Sequence, residues 1–141
     1  MIITQIQAIT PSQKFWDSRR WPNFTASEFA CKHCGENYVW FEFYDRIQRA
    51  RNIAGVPFNF NSGHRCAVHN AFVGGAPLSE HKRLACDIRV AGHNRGQIYR
   101  ACQSAGFTGF GFYQTFLHVD LGRARQWSGG PYSTKAWSGL I

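Results

Sequence analysis

The chain carries only eight carboxylates and six histidines, so the acids that could do chemistry are quickly isolated. Asp17, Glu28, Glu36, Glu42 and Asp45 fall in the first third of the chain. Glu80, Asp87 and Asp120 lie beside His81 and His118 in the second half. Asp87 interrupts an apolar run, Leu84-Ala-Cys-Asp-Ile-Arg-Val90, and His118 sits inside Phe116-Leu-His-Val-Asp120. A carboxylate in an apolar strand is costly unless paired or metal-bound. Side chains alternate along a strand, so Asp87 faces away from Leu84, Cys86, Ile88 and Val90, while His118 and Asp120 share a face. Two neutral imidazoles and one carboxylate are a catalytic zinc set with one position left for water. The alternative is structural: His118 as a satisfied core histidine and Asp87 paired with Arg89 or another cation. Spacing alone does not choose between them.

The elements that must position these residues follow from hydrophobic period and punctuation. Thr25-Ala-Ser-Glu28 has capping-box spacing. Trp40, Phe43, Ile47, Ala50 and Ala54 predict a helix over 38–54, stopped by Gly55 and Pro57. Val56–Asn61 and Leu84–Val90 read as strands, and 62–82 between them as a long loop, a length usually tied to function. Asn94 is placed to cap a helix with the stripe Ile98, Ala101, Cys102 and Ala105, closed by Gly106. Strands follow at 108–113 and 116–121. This order predicts an α+β fold, an antiparallel sheet with helices packed on it. The 141 residues make one domain: an extension over 1–22, a core over about 24–127 and a basic, aromatic tail over 128–141.

Several ordered motifs carry a resemblance to a known family. They are Phe58-Asn-Phe-Asn-Ser62-Gly-His64-Arg65-Cys66, His69-Asn70, Val73-Gly-Gly-Ala-Pro77, Ser79-Glu-His81, Ala85-Cys-Asp87-Ile-Arg89, Gly106-Phe-Thr-Gly-Phe-Gly-Phe-Tyr113 and Phe116-Leu-His118-Val-Asp120. From about Phe24 to Trp127 the chain resembles the M15-type zinc D-Ala-D-Ala carboxypeptidases and peptidoglycan endopeptidases, which include VanX-type dipeptidases and many phage endolysins. The resemblance implies the fold shared by the DD-peptidases and the hedgehog signalling domain. It implies one Zn2+ held by His81, Asp87 and His118, with Arg65 holding a substrate carboxylate or developing oxyanion. It implies substrate contacts from Ser62, His64 and Tyr113, and Ser79 anchoring the loop that bears His81.

The chain departs from the family's Ser-x-His-x-x-Gly-x-Ala-x-Asp pattern: one residue is missing after His81 and the glycine is absent. Many relatives keep an acidic residue three positions before the last histidine, where this chain has Thr115. Asp120 is then the expected general base because it shares the His118 face. The alternatives are that it orients a ligand, or that Glu80 is the base.

The net charge of +8 suits an anionic partner. With the resemblance it leads to bacterial peptidoglycan as the partner and to a phage lysin, made in the cytoplasm and reaching the wall at lysis. The N-terminal residues show no basic segment followed by a long apolar one, so neither signal peptide nor membrane insertion is expected. Basic residues are scattered and no aromatic RNA-binding motif occurs, which argues against nucleic acid. A monomer is expected. A metal-bearing, wall-binding module without activity is the competing reading, favoured by Thr115. Five cysteines cannot form a complete set of disulfides. Cys86 and Cys102 read as buried thiols. Cys31-Lys-His-Cys34 has the spacing of a zinc knuckle, a local disulfide or a free pair, with His33 and His69 as loose further ligands.

Overall fold

A computed structural model describes residues 7–141; the reading of residues 1–6 as carrying no leader lies outside the described residues. In chain order the elements are β1 (Ala8–Thr10), α1 (Ala26–Phe29), β2 (Asn37–Val39), α2 (Phe41–Ala54), β3 (Phe60–Ser62), α3 (Ala67–Phe72), a 3-10 turn (Glu80–Lys82), β4 (Ala85–Arg89), α4 (Arg95–Ser104), β5 (Gly109–Phe112), β6 (Phe116–Asp120), β7 (Arg125–Ser128) and α5 (Pro131–Ala136). β1 and β2 pair as a small ribbon, and the main sheet runs β3-β4-β6-β5-β7. Its pairs are antiparallel except β5 with β7, which are parallel. The fold is α+β as expected, with a mixed rather than wholly antiparallel sheet.

One face of the sheet makes the core. Cys86 and Ile88 of β4, Phe110 and Phe112 of β5, and Leu117 and Val119 of β6 are buried there beneath α2 and α4. Helix α2 contributes Phe43, Tyr44, Ile47, Ala50 and Ala54, which recur at helical spacing. It stops at Gly55, whose φ of 69° is the left-handed conformation that suits glycine at a helix end. The alternate residues of β4 and β6, Asp87, His118 and Asp120, look to the other face.

Four local expectations are corrected. Trp40 precedes α2 rather than belonging to it, because Asn37–Val39 is taken into a strand by pairing with β1. The strand foreseen at Val56–Asn61 is confined to Phe60–Ser62. The segment 62–82 is not continuous loop: Cys66 opens α3, its Sγ accepting from the His69 N–H at 3.4 Å. Asn94 stands at the start of α4 but turns its side chain back, accepting from the Ala91 N–H at 2.8 Å. The segments beyond 122 form β7 and α5, which the sequence left unassigned.

Among the described residues, both the segment before α1 and the segment after β7 are anchored in the core. Trp21 and Trp137 are both fully buried in the main core. Burying an aromatic side chain of this kind contributes about 1.5–3 kcal/mol. Trp137 Nε1 also donates to the Tyr113 carbonyl at 2.8 Å, tying α5 to the end of β5.

Candidate metal centre and cleft

Register alone brings two of the candidate ligands together, since Asp87 of β4 is the direct cross-strand partner of His118 of β6. The third, His81, lies on the 3-10 turn just before β4, where the Ser79 hydroxyl accepts its backbone N–H at 3.2 Å. His118 Nδ1 stands 3.1 Å from Asp87 Oδ1, His81 Nε2 stands 3.1 Å from the same oxygen, and the two ring nitrogens are 3.2 Å apart. A triangle of that size is the face that three ligands about 2.0–2.2 Å from one zinc ion present. Both imidazoles are almost fully buried, while Asp87 is partly open.

The remaining ring nitrogens fix the tautomers. His81 Nδ1 donates to the Gly63 carbonyl at 2.7 Å, leaving the Nε2 lone pair directed at the triangle. His118 Nε2 donates to Asp120 Oδ2 at 2.6 Å, leaving Nδ1 free in the same way. Outer partners of this kind orient metal-binding histidines and raise their basicity. Burial raises the Asp87 pKa, but its close contacts with the His118 and His81 rings outweigh it and hold the carboxyl well below its usual range. The donor set therefore fits zinc in number, type and spacing.

Asp120 is placed differently from expectation. It lies at the Nε2 edge of the His118 ring, across the ring from the triangle, and is fully buried. Arg125 grips both its oxygens at 2.8 Å and the Gly122 N–H donates to Oδ1 at 2.9 Å. Those contacts use the lone pairs a base would need. They offset the burial that would raise its pKa, so Asp120 stays ionised well below its usual range.

The triangle opens into a cleft of about 560 Å3 whose walls include Arg65, Glu80, Tyr113, Phe116, Arg125 and Trp127. Arg65 Nη2 donates to Ser79 Oγ at 3.2 Å, so one hydroxyl steadies both the His81 turn and the cleft's cation. Arg65 Nε is buried with no partner among the described residues, and burial lowers the guanidinium pKa. Tyr113 accepts a hydrogen bond from Trp127 Nε1 at 2.8 Å. Ser62 and His64 are not among the residues that line this cleft. His64 is buried, with Nδ1 at 2.6 Å from the Arg83 carbonyl and Nε2 at 3.1 Å from Glu36, so it holds the scaffold instead of facing substrate.

Sequence reasoning missed Arg125 and Trp127 as parts of the site. Trp127 packs on the His118 ring at a centroid distance of 4.9 Å. The signal lay in Gly109-Phe-Gly111-Phe: a side chain at Gly109 would strike Asp120 and Arg125, and one at Gly111 would strike the Trp127 ring.

A family model for Peptidase M15 matches residues 22–120. The chain belongs to the Peptidase M15 family, a family of zinc-dependent metallopeptidases. No curated protein matches it.

Proposed function

We propose that the chain is a zinc-dependent peptidase that hydrolyses peptide bonds in bacterial peptidoglycan stem peptides, as a D-Ala-D-Ala carboxypeptidase or an endolysin-type endopeptidase. One observation carries this reading: the His81–Asp87–His118 triangle opens into a cleft whose cation, Arg65, has a buried nitrogen without a partner. When bound there, zinc would polarise a carbonyl and acidify water near neutral pH. His81, Asp87 and His118 would hold it.

Arg65 supplies the fork of donors that suits a carboxylate, and stem peptides offer carboxylates at their ends and branches. Tyr113, Phe116 and Trp127 give the cleft flat apolar walls, which accept small side chains of either hand. With Asp120 committed to His118 and Arg125, Glu80 is the remaining uncommitted carboxylate of the cleft. Its contact with Arg83 is a long 3.4 Å, and we assign it the proton transfer to the leaving nitrogen. The +8 charge supports action at an anionic wall, reached from outside the membrane or at lysis. Among the described residues no helix is long and apolar enough to cross a membrane.

The test is to incubate purified protein with peptidoglycan and identify released fragments by mass. Chelator-sensitive release of stem-peptide fragments is expected, and the fragment masses name the bond. Wall binding without release would favour the inactive module to which Thr115 points.

A further inference from the structure

A second cluster of metal-ligating side chains lies apart from the cleft. Cys31, Cys34 and Cys66 place their sulfurs within 4.8 Å of one another, and none of the three is in a disulfide. For comparison, sulfurs about 2.3 Å from a tetrahedral zinc stand roughly 3.8 Å apart. Cys31 and Cys34 belong to a tight turn closed by the Gly35 N–H donating to the Cys31 carbonyl at 2.8 Å. Cys66 comes from a distant part of the chain, at the start of α3, and its backbone N–H donates to Cys31 Sγ at 3.4 Å.

One imidazole, that of His33, borders the thiols, and that of His69 lies beside it. His69 follows Cys66 in a Cys-x-x-His spacing, on the first turn of α3, which matches Cys31-x-x-Cys34 as the other half of a four-ligand set. His33 Nδ1 stands 3.5 Å from Cys66 Sγ, and its ring lies parallel to that of His69, 6.0 Å away.

We propose that Cys31, Cys34, Cys66 and His69 form a structural site for a second zinc ion. Four protein ligands leave no position for water, which separates this closed site from the three-ligand centre in the cleft. Three thiols suit a metal better than a disulfide, which would use two and strand the third. The site would join the 31–34 turn to the start of α3, directly after Arg65, and so fix the backbone that carries the cleft's cation.

The test counts metal in protein prepared reduced and loaded with zinc, using variants that separate the two sites. Wild type is expected to hold two zinc ions, His118→Ala one, and His118→Ala with Cys34→Ser none. Cys34 is exposed, so its serine variant should fold. Cobalt-loaded His118→Ala protein should show intense sulfur-to-cobalt charge-transfer absorption, which Cys34→Ser abolishes. His69→Ala should lose most of the affinity and His33→Ala little of it; the reverse would overturn His69 as the fourth ligand. No metal in the reduced His118→Ala protein, or a cobalt spectrum without the sulfur band, would overturn the site. A disulfide among the three cysteines, with no metal uptake after its reduction, would do the same. None of these results depends on the cleft being a peptidase.

Discussion

Asp87 and His118 face each other directly across β4 and β6, and Asp87 Oδ1 lies 3.1 Å from His118 Nδ1. The same oxygen lies 3.1 Å from His81 Nε2, so one carboxylate oxygen is the shared corner of the triangle. Replacing Asp87 by Asn keeps the shape and removes the charge. Asp87→Asn should therefore fold and lose most of the cleft zinc, measured as the metal that His118→Ala also loses. Undiminished zinc in Asp87→Asn would show that the carboxylate is not a ligand.

Asp120 would act on a bound metal through His118. Its bond to Nε2 and the two-pronged grip of Arg125 hold the ring in one tautomer. Asp120→Asn should weaken zinc binding by about 10–100-fold, the usual cost of losing such a partner. With zinc in excess, much of the turnover should return. Rate loss that saturating zinc does not restore would mean that Asp120 also moves a proton.

Much of this centre was legible in the sequence. An apolar strand interrupted by Asp87, and Phe116-Leu-His118-Val-Asp120 with its period of two, implied their facing directions before any pairing was known. His64 was assigned to substrate through the resemblance, not through its surroundings. Only the fold brings Glu36 and the Arg83 carbonyl onto its two nitrogens. Arg125 and Trp127 were hidden because β7 joins the sheet by a parallel pairing with β5, which local pattern does not announce. The third thiol of the cysteine cluster was hidden likewise, since Cys66 reaches Cys31 through tertiary packing.

Arg65 should separate binding from folding. Its guanidinium is partly buried and, among the described residues, is hydrogen-bonded only by Ser79. Arg65→Ala should leave zinc content unchanged and lower kcat/KM by roughly 10²–10³-fold, the cost of about 2.7–4 kcal/mol of lost oxyanion stabilisation. Arg65→Lys should recover part of this, since a lysine is a point charge without the planar fork. Unchanged kcat/KM in Arg65→Ala would place substrate elsewhere.

Acid should release the cleft zinc at a higher pH than free histidine suggests. Burial pushes the His118 pKa down, but Asp120 and Asp87 more than reverse it, so the metal-free imidazole is raised above its ordinary value. A raised pKa lets the proton compete with metal at higher pH. Zinc affinity measured by chelator competition should already be falling as the pH drops towards about 6.5. In metal-free protein the same shift contributes stability that is full below the unfolded imidazole's pKa and is lost as pH rises through the folded one. Chelator-treated protein should therefore lose stability to urea as the pH is raised through that window. Affinity that stays flat to well below pH 6.5 would show that the two carboxylates do not hold the proton.

Amide hydrolysis needs a group that takes a proton from water and delivers it to the leaving nitrogen. Thr115 cannot serve, because a threonine hydroxyl is far too weak a base. Asp120 is sealed away, with its oxygens taken by His118, Arg125 and the Gly122 N–H. Glu80 differs from both: it borders the cleft, keeps a partly exposed carboxylate and, among the described residues, is tied by a single 3.4 Å contact to Arg83. It also immediately precedes His81 on the 3-10 turn, so the fold that places the ligand places the acid. Glu80→Gln should keep zinc content and thermal stability near wild type and lower kcat by about 10²–10⁴-fold, the range of a general acid–base contribution. Glu80→Asp should retain more activity than Glu80→Gln, since it keeps the charge one methylene short. If Glu80→Gln turns over at the wild-type rate, Glu80 does not carry the proton.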